Sequence, residues 1–274
     1  MELIVFDLDG TLLDSTSKIS PYTRETLVAL AEQGIAYTVA TGRTLNGALE
    51  VLEGHAFHLP QVFKNGVMIW DPRDEQYSHQ NFLTLDEIAH VLEAILAQNI
   101  TPFIFTLEPD NRHGIYHPPL QTPIEERLAA SMDERYDVNI KPASELPADA
   151  EITNISALGI PSAVEAVELL IDNEEHLVAY AGNALEGQHA KWIDIHHSDA
   201  SKGGAVEVLR TQLGASKVIC FGDSENDLSM FAAADESYAP ESAKEHVKAA
   251  ATEIIGHHDE DGIARYLRRR FRID

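Results

Sequence analysis

Two aspartates separated by one residue follow a short apolar run near the start of the chain. Leu3–Phe6 leads into Asp7 and Asp9, and these are followed by Gly10 and Thr11. Residues i and i+2 of an extended strand project to the same side, so both carboxylates would face one pocket beyond the strand. A buried carboxylate is unfavourable unless it is paired, so the rest of the chain must supply cations or hydrogen-bond donors.

Three later segments supply such partners, each at a predicted strand end or helix start. Thr38–Arg43 is a strand that runs into Thr-Gly, where a hydroxyl and free backbone N–H groups at a helix start would form an anion site. Ser201–Gly204 opens another helix and places the ammonium of Lys202 near its first turn. Cys220–Met230 is an apolar strand followed by a glycine and several acids.

A calcium loop is the main alternative for a D-x-D-G string. Such a loop needs further oxygen ligands in register, ending in a glutamate at its twelfth position. Counted from Asp7, that position is occupied by Lys18, so the sequence excludes this kind of site.

The four segments together resemble the motifs of the haloacid dehalogenase superfamily, and within it the Cof-like phosphatases with a large inserted cap. The motifs are DLDGTLLD (7–14), ATGR (40–43), SKGGA (201–205) and GDSENDLSM (222–230), and NGV (65–67) resembles a segment that follows the second motif in these proteins. The resemblance covers essentially the whole chain, since the gap between Thr41 and Lys202 is where a large cap belongs.

The resemblance implies roles for the two aspartates of the first motif. The first aspartate of the family is a nucleophile that forms an aspartyl-phosphate, and the second is a general acid and base; these are Asp7 and Asp9 here. The protein is therefore expected to be a phosphoric monoester hydrolase that acts on a small phosphorylated metabolite.

The residue types at the other motif positions agree with that expectation. Asp7, the carbonyl of Asp9, and Asp223 would hold Mg²⁺, which prefers oxygen ligands beside a phosphate. Lys202 would add a second positive charge against the nucleophile and a phosphoryl oxygen. We assign the remaining positions as follows: phosphate binding to Thr41, Gly42 and Asn226, orientation of Lys202 or a metal-bound water to Asp227, and possible substrate contacts to Arg43 and Asn65.

The assignment of Arg43 carries an alternative. Its side chain would contact the substrate or form a salt bridge on the rim of the site. The relatives usually carry a Gly-Asn-Ala segment after the fourth motif, where this chain has Tyr238–Ala243 with Pro240 and Glu241. Proline lacks a backbone donor, so contacts that this loop makes in relatives are in doubt here.

Both ends of the chain alternate between strand and helix signals, which predicts an α/β fold with a parallel, Rossmann-like sheet flanked by helices. Ligands of such sheets gather at the carboxyl ends of the strands. The predicted strands are Leu3–Phe6, Ile35–Ala40, Lys217–Phe221 and Ser237–Ala239. The predicted helices are Thr23–Gln33, Leu45–Leu52, Ala205–Leu213, Asn226–Ala234, Glu241–Ala250 and Gly262–Arg270.

The middle of the chain predicts a separate α+β cap with an antiparallel sheet. We place the core domain at 1–81 and 183–274 and the cap at 82–182. The predicted cap helices are Leu85–Gln98, Ile124–Met132 and Ser162–Asn173; its strands are Pro102–Leu107, Ile152–Leu158 and Leu177–Ala181, and Asp110–Pro119 is loop-like. His196-His197 and His257-His258 lack the spaced ligand sets of structural zinc and are interpreted as surface loop histidines.

The charge and the hydrophobic pattern of the chain argue against some classes of partner. The 274 residues carry 20 Lys and Arg against 45 Asp and Glu, a formal net charge of −25, which argues against a nucleic-acid surface. No apolar run is long enough for a membrane span, and the first residues do not form a signal peptide, so a cytoplasmic location is expected. The single cysteine, Cys220, lies in an apolar strand and is predicted to be buried and inert.

Two other functions use the same residues. A phosphotransferase such as a hexose-phosphate mutase would share the aspartates, and a non-catalytic phosphate-binding regulator would keep the site without turnover. The motifs handle the phosphoryl group that all substrates share, so sugar phosphates, nucleotides, pyridoxal phosphate and flavin mononucleotide all remain open. Whether the protein is a monomer or a homodimer is also open.

Overall fold

The chain folds into two compact units. The computed structural model describes residues 1–108, 113–136, 139–184 and 190–274. The core unit comprises residues 1–80 and 200–274, and the insert unit comprises residues 81–199.

The strands, in chain order, are β1 (Glu2–Phe6), β2 (Ala36–Val39), β3 (Gln61–Phe63), β4 (Met68–Asp71), β5 (Gln76–Gln80), β6 (Phe103–Leu107), β7 (His113–His117), β8 (Asn139–Pro142), β9 (Glu151–Gly159), β10 (Leu177–Asn183), β11 (Lys191–His197), β12 (Lys217–Phe221), β13 (Glu236–Pro240) and β14 (Glu253–Ile255). The helices are α1 (Pro21–Glu32), α2 (Leu45–Leu52), α3 (Leu85–Ala97), α4 (Pro123–Tyr136), α5 (Pro161–Ile171), α6 (Lys202–Leu213), α7 (Leu228–Ala233), α8 (Glu245–Ala250) and α9 (Gly262–Phe271).

The core unit is built on a five-stranded sheet in the order β14-β13-β12-β1-β2. Every neighbouring pair in this sheet is parallel. The alternating side chains of β1 enter two separate apolar clusters: Ile4 and Phe6 pack in one, and Leu3 and Val5 in the other. Strand β1 is thus buried on both faces, which confirms the predicted α/β class with a parallel sheet between helices.

The carboxyl ends of the central strands meet at one edge of this sheet. The backbone N–H of Asp7 donates to the carbonyl of Phe221, the last residue of β12, at 2.9 Å. On the other side of β1, the N–H of Ala40 donates to the carbonyl of Phe6 at 2.8 Å. The first, second and fourth motifs therefore start from adjacent strand ends.

A second, three-stranded antiparallel sheet of the core unit was not predicted from the sequence. Its order is β3-β4-β5, and Ala40 bridges Val62 of β3. Each of its strands is short, and a turn at Lys64–Gly66 interrupts the apolar residues between the first two. The edge strand β14 was also not predicted; it contains only the three residues Glu253–Ile255.

The insert unit contains a six-stranded sheet in the order β10-β11-β9-β6-β7-β8. Helices α3 and α5 contribute to the apolar cluster on one face, and α4 to a smaller cluster around Phe103 and Ile115. The sheet is antiparallel except for β7 and β8, which pair in parallel. The antiparallel sheet predicted for the cap is confirmed except at this edge.

Two expectations about the insert need correction. Part of the loop-like stretch Asp110–Pro119 forms β7, whose three central residues Gly114, Ile115 and Tyr116 are buried; residues 110–112 lie outside the described part. The second boundary falls at 199–200 rather than 182–183, because β11 pairs with both β9 and β10. His196 accordingly lies buried on a strand, not in a surface loop.

Two other features of the sequence can be compared with the structure. Cys220 is fully buried in β12, as predicted, and burial raises the pKa of its thiol well above the ordinary value. Among the helices of the described part, none combines the length and the apolar character that a membrane crossing needs.

Candidate active site

A buried lysine joins two aspartates from different parts of the chain. Lys202 Nζ donates to Asp7 Oδ1 at 2.5 Å and to Asp227 Oδ1 at 2.7 Å. The side chains of Lys202 and Asp227 are fully buried, and that of Asp7 is nearly so. Helix α6 starts at Lys202 itself, with Ser201 as its N-cap. Lys202 is therefore the first residue of the helix, whereas the sequence predicted a start at Ala205.

The charges of this cluster do not balance. Carboxylates of Asp7, Asp223 and Asp227 face the single ammonium of Lys202. Burial raises the pKa of Asp7 well above its ordinary value, opposed by Lys202 and reinforced by the other two carboxylates. Burial alone would lower the pKa of Lys202, but Asp227 and Asp7 raise it instead. The site therefore has excess negative charge that a further cation would relieve.

Asp223 is placed by the turn that follows β1. Thr11 Oγ1 donates to Asp223 Oδ1 at 3.0 Å. Gly10 has a φ of 78°, and a Cβ on it would lie 2.7 Å from Asp223 Oδ2, so only glycine fits both the turn and the contact. Burial, followed by the charge of Asp227, raises the pKa of Asp223, while hydrogen bonds from Thr11 and Ser224 lower it.

Asp227 accepts three hydrogen bonds within the protein. Its Oδ2 accepts the backbone N–H groups of Asp223 at 2.8 Å and Ser224 at 2.9 Å, and its Oδ1 accepts Lys202. This pattern agrees with the predicted orienting role. It also shapes the turn that presents Asp223 to the site.

The donor set fits a hard divalent cation. Ligand oxygens of Asp7, Asp223 and Asp227 all lie within 4.8 Å of one another. Because Asp227 already accepts hydrogen bonds from Lys202 and two backbone N–H groups, Asp7 and Asp223 are the carboxylates with more acceptor sites left for a metal ion. An all-oxygen set with excess negative charge is typical of Mg²⁺ sites beside phosphate.

Asp9, the predicted acid and base, is paired with Arg43. Arg43 Nε donates to Asp9 Oδ2 at 2.7 Å, and Nη2 to Oδ1 at 2.5 Å. The Asp9 side chain is 53% exposed and that of Arg43 23% exposed. Hydrogen bonding to Asp9 raises the pKa of Arg43. Of the two alternatives for Arg43, the structure contains the salt bridge.

The second motif forms a backbone loop beside this pair. Thr41 is buried; its hydroxyl oxygen accepts the N–H of Arg43 at 3.1 Å. Helix α2 starts only at Leu45, with Thr44 as its N-cap. The expectation that Thr41 and Gly42 lie at the helix start is therefore wrong by one short turn. Gly42 is exposed in this loop and its N–H remains our candidate donor for a phosphoryl oxygen.

Asn226 and Asn65 bind each other. Asn226 Nδ2 donates to Asn65 Oδ1 at 2.9 Å, and the backbone N–H of Asn65 donates to the carbonyl of Thr41 at 3.0 Å. Asn65 is buried with a left-handed φ of 55°. Asn65 therefore links the second and fourth motifs; in this conformation its side chain supports Asn226.

Two features of the site were not predicted from the residues. Thr11 holds Asp223, and its place four residues after Asp7 in the first motif was the available signal. The divergent loop after β13 supports the site through its backbone: the N–H of Lys244 donates to the carbonyl of Asp223 at 3.3 Å. Helix α8 accordingly starts at Glu245, not Glu241.

Comparison with known proteins agrees with this geometry. Residues 4–267 match the family described as haloacid dehalogenase-like hydrolase. Phosphatase YwpJ of Bacillus subtilis is 27% identical over 98% of this chain and 99% of its own length. From the same organism, 5-amino-6-(5-phospho-D-ribitylamino)uracil phosphatase YitU is 24% identical over 99% of this chain and 98% of its own length.

A solved structure shows the same fold along the chain. A haloacid dehalogenase-like hydrolase from Bacteroides thetaiotaomicron superposes with a TM-score of 0.76 at 25% identity, covering 98% of this chain and 99% of that one. The family match spans both units, and the two Bacillus subtilis relatives are named phosphatases. The chain therefore belongs to the haloacid dehalogenase-like hydrolases.

Proposed function

We propose that the protein is a Mg²⁺-dependent phosphatase that hydrolyses a small phosphomonoester through an aspartyl-phosphate on Asp7. The observation that carries this proposal is the bridge from Lys202 to Asp7 and Asp227. The bridge occupies Asp7 Oδ1 and fixes the carboxylate at the end of β1. We assign the nucleophilic attack to Oδ2, the other oxygen.

A phosphate monoester is dianionic, so a carboxylate nucleophile needs positive charge nearby. Lys202 supplies one such charge in a buried position, where its electrostatic effect is large. Asp7, Asp223 and the backbone carbonyl of Asp9 would hold the Mg²⁺. When bound, the ion would neutralise phosphoryl oxygens and lower the repulsion between substrate and nucleophile.

The reaction has two displacements. In the first, an Asp7 oxygen bonds to phosphorus, the ester P–O bond breaks, and protonated Asp9 donates its proton to the leaving alcohol. In the second, Asp9 accepts a proton from water as the water oxygen bonds to phosphorus and the Asp7–phosphorus bond breaks. Inorganic phosphate is released, and ionised Asp7 and protonated Asp9 are regenerated.

Each oxygen of Asp9 accepts one hydrogen bond from Arg43 and keeps a second lone-pair site, so Asp9 can take up and release a proton while Arg43 fixes its direction. Thr41, the N–H of Gly42 and Asn226 are the groups we assign to the phosphoryl oxygens. For Asn226 this requires its amide to leave Asn65 or to bind both.

Phosphate release from a panel of phosphomonoesters, with and without Mg²⁺, tests the proposal. We expect Mg²⁺-dependent release by the wild-type protein, an acid-stable phosphorylated intermediate after quenching, and no release by Asp7→Asn. The matched control is Asp74→Asn, an exposed aspartate in the turn between β4 and β5, which should keep full activity.

Two outcomes would overturn the proposal. Unchanged phosphate release by Asp7→Asn would exclude the nucleophile. Recovery of an isomerised sugar phosphate in place of free phosphate would instead identify a phosphotransferase.

A further inference from the structure

Two histidines and an aspartate lie together in the loop between β14 and α9. Ligand atoms of His257, His258 and Asp259 are all within 4.8 Å of one another. Both histidines are partly buried, and Asp259 is exposed. Adjacent side chains of a strand would point to opposite sides, but the chain turns after His257, and the two imidazole rings stack with their centroids 4.7 Å apart. Three consecutive residues therefore bring their polar atoms to one place.

The backbone of this loop is held at both of its ends. The carbonyl of His257 accepts the N–H of Gly262 at 3.0 Å. A Cβ on Gly262 would lie 1.8 Å from the carbonyl oxygen of Gly256, so only glycine permits this approach. Thr23 Oγ1 donates to Asp261 Oδ1 at 3.1 Å and ties the loop to α1. The three side chains are therefore carried by a closed turn.

The ring of His258 is oriented by a serine from another loop. Its Nδ1 lies 2.6 Å from Ser242 Oγ, in the segment after β13, and its Nε2 lies 3.6 Å from Asp259 Oδ1. A serine hydroxyl can accept a hydrogen bond from a protonated Nδ1, and that tautomer leaves a lone pair on Nε2. Because this lone pair and a carboxylate oxygen are both acceptors, the pair needs a proton or a metal ion between them.

The other two side chains have acceptor atoms that a cation can also reach. The backbone N–H of Ser15 donates to Asp259 Oδ1 at 2.7 Å and fixes the carboxylate. Nδ1 of His257 is unprotonated, since it accepts the N–H of Asp259 at 3.2 Å. This hydrogen bond is long, so a metal ion on Nδ1 would replace it at little cost. Outer hydrogen bonds such as those from Ser242 and Ser15 are typical of metal-binding histidines and carboxylates.

We propose that His257, His258 and Asp259 bind a divalent transition-metal ion, of the kind represented by Zn²⁺. Two imidazole nitrogens and one carboxylate oxygen are ligands that Zn²⁺ takes, with a fourth position left for water or another ligand. Mg²⁺ prefers oxygen ligands, so this site and the carboxylates at Asp7 should select different ions. No ligand is shared with the Mg²⁺ site of the proposed function.

Calorimetric titration with Zn²⁺ tests this site. We would use the full chain without a polyhistidine tag, with excess Mg²⁺ to occupy the carboxylates at Asp7. The wild type should bind a single Zn²⁺ saturably. His258→Gln and Asp259→Asn should each weaken binding by about a hundredfold or more, because a ligand is worth at least as much as an outer hydrogen bond. Asp259→Asn keeps an acceptor for the N–H of Ser15, so it removes mainly the charge.

Two further variants separate ligation from other effects. His246→Gln removes an exposed histidine that pairs with Glu225 at 3.2 Å, and it should bind Zn²⁺ as the wild type does. Ser242→Ala keeps all three ligands but removes the partner of His258, so it should weaken binding by about tenfold. In thermal unfolding, Zn²⁺ should raise the Tm of the wild type and of His246→Gln but not that of His258→Gln.

Co²⁺ gives a second readout that reports the ligands directly. A four-coordinate Co²⁺ site with nitrogen ligands absorbs visible light much more strongly than the hydrated ion. Titration of the wild type with Co²⁺ should therefore produce visible bands, and His257→Gln should lose them.

The outcomes separate this site from the one at Asp7. Equal Zn²⁺ affinity of the wild type and His258→Gln, or no saturable binding by the wild type, would overturn the proposal. Zn²⁺ binding that is lost in Asp223→Asn and kept in Asp259→Asn would also overturn it, by placing the ion at the Mg²⁺ site. None of these results bears on phosphate release, which Asp7→Asn tests separately.

Discussion

The guanidinium of Arg43 binds both carboxylate oxygens of Asp9, with Nε–Oδ2 at 2.7 Å and Nη2–Oδ1 at 2.5 Å. Its remaining Nη1 donates to the carbonyl of Gly47 at 3.0 Å, in the first turn of α2. A bidentate pair of this kind fixes direction as well as charge. The half-exposed Asp9 is thereby oriented from the start of a helix, and Arg43 becomes a positioning residue for it.

Replacing Arg43 should impair proton transfer more than substrate binding. In Arg43→Gln the Asp9 side chain loses its fixed direction, and we expect kcat to fall by about tenfold with a smaller change in KM. Arg43→Lys should recover only part of the loss, because an ammonium cannot donate in the same fork. Steady-state kinetics of the three proteins on one substrate measure this.

Arg73 provides the control for that prediction. It forms the same bidentate pair with Asp71, at 3.0 and 2.6 Å, on β4 and the turn after it. Arg73→Gln should leave kcat unchanged, and equal effects of the two Arg→Gln variants would show that the Asp9 contact has no role in turnover.

Removing Lys202 should destabilise the protein and abolish activity. Lys202→Met leaves Asp7 and Asp227 buried without their ammonium, and breaking a buried pair in this way costs about 3–5 kcal/mol. Urea unfolding should show that loss in the free energy of unfolding, and kcat should fall by about a hundredfold or more.

An exposed lysine offers the comparison for Lys202. Lys244 pairs with Glu225 at 2.5 Å, but its side chain is 55% exposed, so Lys244→Met should change the free energy of unfolding by less than about 1 kcal/mol. If both variants unfolded at the same urea concentration, the buried bridge would not be a stabilising element.

The carboxylate of Asp223 should destabilise the metal-free protein and should be required for Mg²⁺ binding. Burial and the charge of Asp227 raise its pKa, so its carboxylate is repelled in the metal-free protein. Asp223→Asn keeps an acceptor for Thr11 but removes the charge. We therefore expect a higher Tm than wild type without metal, and no further rise on adding Mg²⁺, which should stabilise the wild type by binding the folded state.

Thermal unfolding with Mg²⁺ or with a chelator measures both effects. Asp74→Asn should behave as wild type in each condition. A Mg²⁺-dependent rise in Tm that persists in Asp223→Asn would place the ion elsewhere.

Glu236 should make the core unit sensitive to acid. Burial by itself would raise the pKa of Glu236, but hydrogen bonds from Lys217, Tyr238 and Arg270 lower it from 4.5 to about 2. Because the folded-state pKa lies below the unfolded one, the stabilisation is fully present above about pH 4.5 and is lost as the pH falls towards about 2.

Glu236→Gln should therefore lower the free energy of unfolding at neutral pH, on the order of 2 kcal/mol, with the difference shrinking below about pH 4. The control is Glu245→Gln. The Glu245 side chain pairs with Lys248 but is 92% exposed, so this variant should change the free energy of unfolding very little. A pH-independent difference between wild type and Glu236→Gln would contradict the assignment.

Asn65 should act through Asn226. Asn65→Gly keeps the left-handed backbone, which glycine adopts readily, but removes the acceptor for the Asn226 amide. If Asn226 contacts the phosphoryl group, this variant should raise KM for every substrate by a similar factor. A change confined to one substrate would assign Asn65 to substrate selection instead.

The sequence by itself predicted which side chains lie together at the candidate site. Asp7, Lys202, Asp223 and Asp227 could be placed together before any coordinates, because each follows a predicted strand or opens a helix. The carboxyl ends of parallel strands share one edge of a sheet, so local patterns with a known topology suffice for that step. The α/β class and the separate α+β insert followed from the same periodicities.

Only the tertiary structure decided the contacts between segments whose relative positions do not follow from the topology of the parallel sheet. The pairs Arg43–Asp9 and Asn226–Asn65, the return boundary at 199–200 and the strands β7, β8 and β11 are of this kind. Strand pairing across long loops depends on which partner edge is free, and hydrophobic periodicity does not encode that choice.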